Sequence, residues 1–91
     1  MALKIRQSTR FRRDIRRLRK QGTDLSKLET AVTLLVAQRA LEATYRDHAL
    51  TGNWRGYREC HLQPDWLLIY RVVDNELQLT RTGSHAELFG K

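Results

Sequence analysis

The chain has 91 residues, is 41% hydrophobic and carries only five glycines and one proline, which suits one domain with a modest core and excludes a disordered or fibrous polymer. Seventeen Lys and Arg against ten acids leave a formal charge of +7, which favours a polyanionic partner, nucleic acid first. No apolar run approaches the roughly 18 residues of a spanning helix, the N-terminus lacks a signal-peptide core, and Cys60 is the single cysteine, so a reducing, cytoplasmic setting without a membrane partner is expected.

In chain order, Leu3-Lys4-Ile5-Arg6 alternates and predicts a short first strand, with Ser8 or Thr9 placed to cap a helix. From Phe11, Ile15 and Leu18 fall at i+4 and i+7, within about 60° of one another at about 100° per residue. Arg12, Arg13, Arg16, Arg17, Arg19 and Lys20 take the opposite arc, Asp14 is the sole acid, and Gly22 ends the helix. Thr23 or Asp24 starts a second helix, with Ser26-x-x-Glu29 an alternative capping box one turn later. Leu25, Leu28, Val32, Leu35 and Val36 form its apolar stripe, with Leu34 nearly opposite. The helix fades between Gln38 and Glu42. Because only Gly22-Thr23 join the two helices, an antiparallel hairpin packed on a sheet is expected.

Ala43–Asn53, which holds His48, reads as a loop. Tyr57–Leu62 then alternates, with Tyr57, Glu59 and His61 on one face and Arg58, Cys60 and Leu62 on the other. Gln63-Pro64-Asp65 is a turn, because proline fixes its own φ and extends the residue before it. Leu67–Val73 is almost wholly apolar, as in a strand covered on both faces. Asp74-Asn75 is a tight hairpin, Glu76–Thr82 turns Leu77 and Leu79 inward, and Gly83 breaks that strand. Ser84-His85-Ala86-Glu87 is a second capping box, opening a short terminal helical turn with Leu88 and Phe89. The order is βααβββ. The fold class is α+β: two antiparallel N-terminal helices on a mainly antiparallel four-stranded sheet, in one domain spanning 1–91.

A face presenting Tyr, Glu and His beside a buried strand is an odd use of polar groups unless it is a working surface. His48, His61 and His85 fall before, within and after this core, with Asp65 and Arg81 near them in sequence. Imidazole titrates near pH ~6.5, so it can take and return a proton at cellular pH. RNA cleavage without a metal needs a base for the ribose 2′-hydroxyl, a cation for the crowded phosphorane and an acid for the departing 5′-oxygen. His and Asp suit the first and last, and the planar fork of Arg suits the second. Arg10–Lys20 would repel itself in the absence of a partner; Arg12, Arg16 and Arg19 are placed to bind a phosphate backbone. Phe89, close to the end of the chain, is placed either to stack on a nucleobase or to anchor the tail. Trp54 and Trp66 read first as packing residues. A His₃ or His₂Asp zinc site is the rival chemistry; the sequence has no H-x-x-x-H spacing for it, and neither metal nor cofactor is expected.

The run DHALTGNWRGYRECHLQPDWLLIY, followed by RTGSHAELF, resembles the YafQ branch of the RelE-like toxins of bacterial toxin–antitoxin pairs. The likeness spans nearly the whole chain and is strongest from Tyr45 to Phe89. It implies an endoribonuclease that cuts messenger RNA in the ribosomal A site and is neutralised by an acidic cognate antitoxin. It points to His48, His61, Asp65, Arg81 and His85 as catalytic, and to Trp66 and Phe89 as substrate contacts. His85 would protonate the leaving oxygen, His61 or His48 assisted by Asp65 would serve the 2′-hydroxyl, and Arg81 would hold the phosphate. Counting by twos puts Arg81 on the face of Leu77 and Leu79, so a bulge or a strong twist near Thr80 is needed to turn it toward the site. Two other functions fit the same scaffold: a non-enzymatic ParE-like inhibitor of DNA gyrase, and a plain RNA-binding module.

Overall fold

A computed structural model describes residues 2–90. Strand β1 (Lys4–Gln7) leads into helices α1 (Thr9–Lys20) and α2 (Ser26–Val36). A two-residue strand β2 (His48–Ala49) comes next, then β3 (Arg58–Gln63), β4 (Trp66–Val73), β5 (Glu76–Gly83) and helix α3 (His85–Phe89). The sheet order is β1-β5-β4-β3-β2; β1 runs parallel to β5 and the other pairs are antiparallel. The α+β arrangement is therefore as expected, with five strands instead of four. The segment expected to be a loop folds into two 3₁₀ turns, Ala43–Tyr45 and Gly52–Trp54, on either side of β2. Two residues show no period, so alternation could not reveal that strand.

Ser8 caps α1, its hydroxyl accepting from the Phe11 N–H at 2.9 Å. Gly22, at φ 76°, closes the helix, with Gly22 N–H bonded to Arg19 C=O and Thr23 N–H to Leu18 C=O, both at 3.0 Å. Those two bonds are the double closure that a left-handed residue permits. The α2 boundaries differ from expectation. Ser26 is the first helical residue, so its box with Glu29 does not form; instead Asp24 Oδ1 accepts from the Ser26 N–H at 2.9 Å. The helix stops at Val36, and Gln38 takes the left-handed role at φ 57°.

The two faces of β4 separate the molecule. Leu68 and Tyr70, with Cys60, Leu62, Leu77 and Leu79, meet Phe11, Leu18, Leu28 and Leu35 of the helices in the main core. Leu67 and Ile69 point the other way, into a smaller cluster with Leu88 and the partly covered Leu50, Trp54, Tyr57 and Phe89. Leu67, Leu68 and Ile69 are all 0% exposed, as a strand covered on both faces requires. The far end of β4 departs from that pattern, since Val72 and Val73 are exposed. Burial also pushes the Cys60 thiol up to about 12, which makes it an inert core group.

Of the two expected devices, a bulge or a strong twist, β5 uses the bulge. Ile69 pairs with Arg81 and Tyr70 with Leu79, leaving Thr80 as the extra residue. Leu77 and Leu79 thus face the helices, while Arg81 shares the open face with Ile69. Ser8 secures the bulge, donating its hydroxyl to Thr80 C=O at 2.7 Å and its N–H to Leu79 C=O at 3.0 Å.

Candidate active site

The open face carries a row of imidazoles. His48 and His61 lie 6.3 Å apart between ring centroids, with planes at 27°, and His61 and His85 lie 5.9 Å apart. Sheet register explains the row. Glu59 pairs with His48 across β2 and β3, while His61 stands two residues along β3 on the same face, opposite Leu67. His85 is the first residue of α3, placed by the Ser84 capping box in which Glu87 N–H meets Ser84 Oγ at 3.1 Å and Ser84 N–H meets Glu87 Oε1 at 2.9 Å.

Each imidazole has a distinct environment. His85 Nδ1 lies 2.7 Å from Asp65 Oδ1, and the same oxygen accepts the His85 backbone N–H at 3.0 Å. These bonds, the backbone one first, hold the Asp65 carboxyl below its ordinary value. With Nδ1–H donated to Asp65, Nε2 is the His85 nitrogen left to exchange a proton. His48 Nδ1 lies 2.6 Å from Arg46 C=O. A carbonyl only accepts, so Nδ1 carries the hydrogen, and Nε2, 3.6 Å from Glu59 Oε1, is the nitrogen with a lone pair to offer. His61 Nε2 faces the same Glu59 oxygen at 3.8 Å, whereas its Nδ1 is buried without a hydrogen-bond partner among the described residues. A bare lone pair there costs less than an unmade N–H donation, which favours hydrogen on Nε2.

Glu59, buried between two imidazoles, was read as part of the polar face with His61 but not as a candidate site residue. Its signal was its place two residues before His61 on one strand face. Asp65 also differs from expectation: it serves His85, and the carboxylate beside His48 and His61 is Glu59. Asp47, next to His48, accepts from Tyr70 Oη at 2.6 Å and from Arg58 Nε at 3.3 Å, tying the His48 segment to the sheet. Burial, and then Asp47, raise the Tyr70 hydroxyl well above its ordinary value, so it stays a donor.

The remaining candidates divide. Phe89 lies beside the row, 6.4 Å from the His85 ring and edge-on to Trp54 at 6.2 Å. With Asn53 and Leu88 these residues line an open cleft of about 560 Å³. Trp66 does not reach the open face: it is 5% exposed in the main core and donates its indole N–H to Thr82 Oγ1 at 2.9 Å. Arg81 is paired with a carboxylate, Asp14, through Nε at 2.8 Å and Nη2 at 3.1 Å. Arg12, Arg16 and Arg19 are exposed on α1 and line an open groove of about 530 Å³. Glu59, His61 and His85 each offer a donor atom within 4.8 Å of the others, so two imidazoles and a carboxylate, not three histidines, could gather round a metal ion.

Three histidines and two carboxylates, Glu59 beside His48 and His61 and Asp65 beside His85, are gathered on the open face of a small basic α+β domain, the kind of constellation that acid–base sites use. The family model described as "Bacterial toxin of type II toxin-antitoxin system, YafQ" matches residues 3–90, and the chain belongs to that family. It is 44% identical over 87 residues to the mRNA interferase toxin YafQ of Escherichia coli strain K12, covering 94% of this chain and 95% of that protein. It superposes on a chain of the E. coli DinJ–YafQ toxin–antitoxin complex with a TM-score of 0.90 and 42% identity, covering 99% and 100% of the two chains. A metal-bound toxin from Helicobacter pylori matches with a TM-score of 0.90 and 44% identity, covering 96% and 99%.

Proposed function

We propose that this toxin is an endoribonuclease that cleaves messenger RNA in the ribosomal A site by attack of the neighbouring 2′-hydroxyl, and that an acidic antitoxin neutralises it. The observation that carries the reading is the row of imidazoles, with His48 and His85 flanking His61. In-line displacement puts the attacking and leaving oxygens on opposite sides of phosphorus, so base and acid must stand apart with the phosphate between them. His48 Nε2 takes the 2′-hydroxyl proton, and Glu59 stabilises the imidazolium that results. His85 Nε2 gives a proton to the departing 5′-oxygen, its ring held by Asp65. His61 donates beneath the phosphate, Arg81 meets the charge of the phosphorane, and Phe89 stacks on a flanking base. Arg12, Arg16 and Arg19 bind phosphates away from the cut.

The E. coli relative is named an mRNA interferase and is found in a complex with DinJ, which supports both substrate class and partner. The H. pylori relative is described as metal-bound, and Glu59, His61 and His85 fit such an ion. A bound ion would act as a Lewis acid there, while occupying nitrogen lone pairs that proton transfer uses. Our reading places cleavage in the metal-free form.

The test is the chemistry of the cut ends. A 2′-deoxy substitution at the cut position should abolish cleavage and leave binding intact. The upstream fragment should end in a 2′,3′-cyclic phosphate or its 3′-phosphate product, and the downstream one in a 5′-hydroxyl. Chelation, with magnesium restored for the ribosome, should leave the rate unchanged. Cleavage of the 2′-deoxy message, lost on chelation, would replace this mechanism with metal-assisted hydrolysis.

A further inference from the structure

Helix α1 carries one acid among its basic residues, and that acid is buried. Asp14 is 2% exposed, yet its side chain faces two cations and a backbone donor. Arg81 gives it Nε at 2.8 Å and Nη2 at 3.1 Å, Arg17 gives Nη1 at 2.8 Å, and Thr82 gives its N–H at 3.1 Å. Arg17 continues the chain of charges, with Nε 2.9 Å from Glu87 Oε2 on α3 and Nη2 donating to Thr82 C=O at 3.1 Å. The alternation Arg81–Asp14–Arg17–Glu87 therefore runs from β5, through α1, to the helix that begins with His85. Gly83 leaves room for it: a Cβ there would stand 2.8 Å from both Arg17 Nη2 and Glu87 Oε1.

We propose that Asp14 is a positioning residue for RNA cleavage, fixing the Arg81 guanidinium so that its free edge meets the scissile phosphate. This inference rests on the phosphate role given to Arg81 above. A guanidinium has two usable edges, one formed by Nε with an Nη and one by the two Nη groups. Asp14 takes the Nε edge and leaves Nη1 with both hydrogens. Arg17 and the Thr82 N–H already give the carboxylate two donors, so satisfying Asp14 does not require Arg81. Arg81 is brought within reach because the Thr80 bulge turns it out of the phase of Leu77 and Leu79. Arg17 and Glu87 then link the same carboxylate to α3, setting the phosphate-binding group and the proton donor in one frame.

The experiment is single-turnover cleavage at saturating toxin by Asp14→Asn, Arg81→Ala and the double variant, beside their substrate affinities and thermal melts. Asp14→Asn should slow cleavage by about 10²-fold, the scale of a misplacement near 1 Å, with affinity unchanged. In the double variant, the loss should equal that of Arg81→Ala alone, because Asp14 acts through Arg81. Multiplying losses would overturn the proposal and leave Asp14 a fold residue. An Arg81→Ala variant at the parent rate would remove the phosphate role itself, a different failure. Should Asp14→Asn not fold, Arg81→Lys decides: it keeps the charge and loses the fork. It should be as slow as Arg81→Ala to within about threefold, and a lysine variant at the parent rate would overturn the proposal.

Discussion

Asp14 and Glu59 are both buried carboxylates, and they are held in opposite ways. Asp14 is saturated by two guanidinium groups and a backbone N–H at 2.8–3.1 Å. Burial alone would raise its carboxyl, but the bonds from Arg81, Thr82 and Arg17 outweigh that and hold it below the ordinary 3.8. Glu59 faces two imidazoles at 3.6 and 3.8 Å, beyond hydrogen-bond length. A carboxylate with its acceptor sites filled holds other groups still. One with capacity to spare can answer a proton arriving on a neighbour. Burial therefore does not distinguish scaffold from chemistry here; the completeness of the partner set does.

Each side of that contrast can be broken separately. The largest effect belongs to the imidazoles: His85→Ala should lower the single-turnover rate by roughly 10²–10⁴. Its melting point should stay within a few degrees of the parent, since His85 is partly exposed. Asp14→Asn should cost about 2–4 kcal/mol of stability, less than a fully enclosed pair because Arg17 keeps 32% of its side-chain exposure. In thermal melts that is a fall of about 10–25 °C. The sign with pH follows from the depressed carboxyl: its contribution is complete above the unfolded value of 3.8 and disappears as pH falls through the lower folded value. Parent and Asp14→Asn should therefore converge in stability as urea melts are taken from about pH 6 to about pH 2.

Glu59→Gln should slow cleavage by about 10²-fold in single-turnover assays, with stability within about 1 kcal/mol of the parent. A loss of stability matching that of Asp14→Asn would erase the distinction between the two carboxylates. The smallest structural effect should come from reversing Arg12, Arg16 and Arg19 to Glu. Melting should barely move, while the log–log salt dependence of RNA or ribosome binding should weaken by about 1 for each phosphate that is no longer neutralised. An unchanged slope would return those arginines to a solvated surface.

Much of this was legible in the residues, for reasons that can be named. The 3.6-residue stripes of the helices, the Ser8 cap and the Gly22 stop are local signals, and the structure keeps them. Alternation placed Glu59 and His61 opposite Cys60 and Leu62, and phase counting on β5 asked for a bulge or a strong twist near Thr80 if Arg81 was to reach the site. What escaped depends on distance along the chain. Asp14 meets groups at Arg81 and Thr82, separated from it by 67 and 68 positions. Its one local clue was a place at i+3 from Phe11 and i−4 from Leu18, on the flank of the apolar stripe. The partner of Asp65 escaped similarly, because α3 folds back over the turn after β3 and no pattern within either segment records that. Trp66 carried two readings: residue type made it a packing residue, which its place in the core bears out, while the motif implied a substrate contact that its buried indole does not offer here.

The extra residue in β5 gives one strand two reading frames. Leu77 and Leu79 keep the phase of the interior, while Arg81 and Gly83 keep that of the open face. The switch rests on Thr80 standing outside the ladder. Were Thr80 paired like its neighbours, Arg81 would fall into step with Leu77 and Leu79 and turn toward the helices. Were Thr80 removed, Arg81 would follow Leu79 directly and still stand opposite Ile69. The second frame therefore survives the loss of this residue but not its incorporation: what the strand must avoid is a regular ladder of its full length.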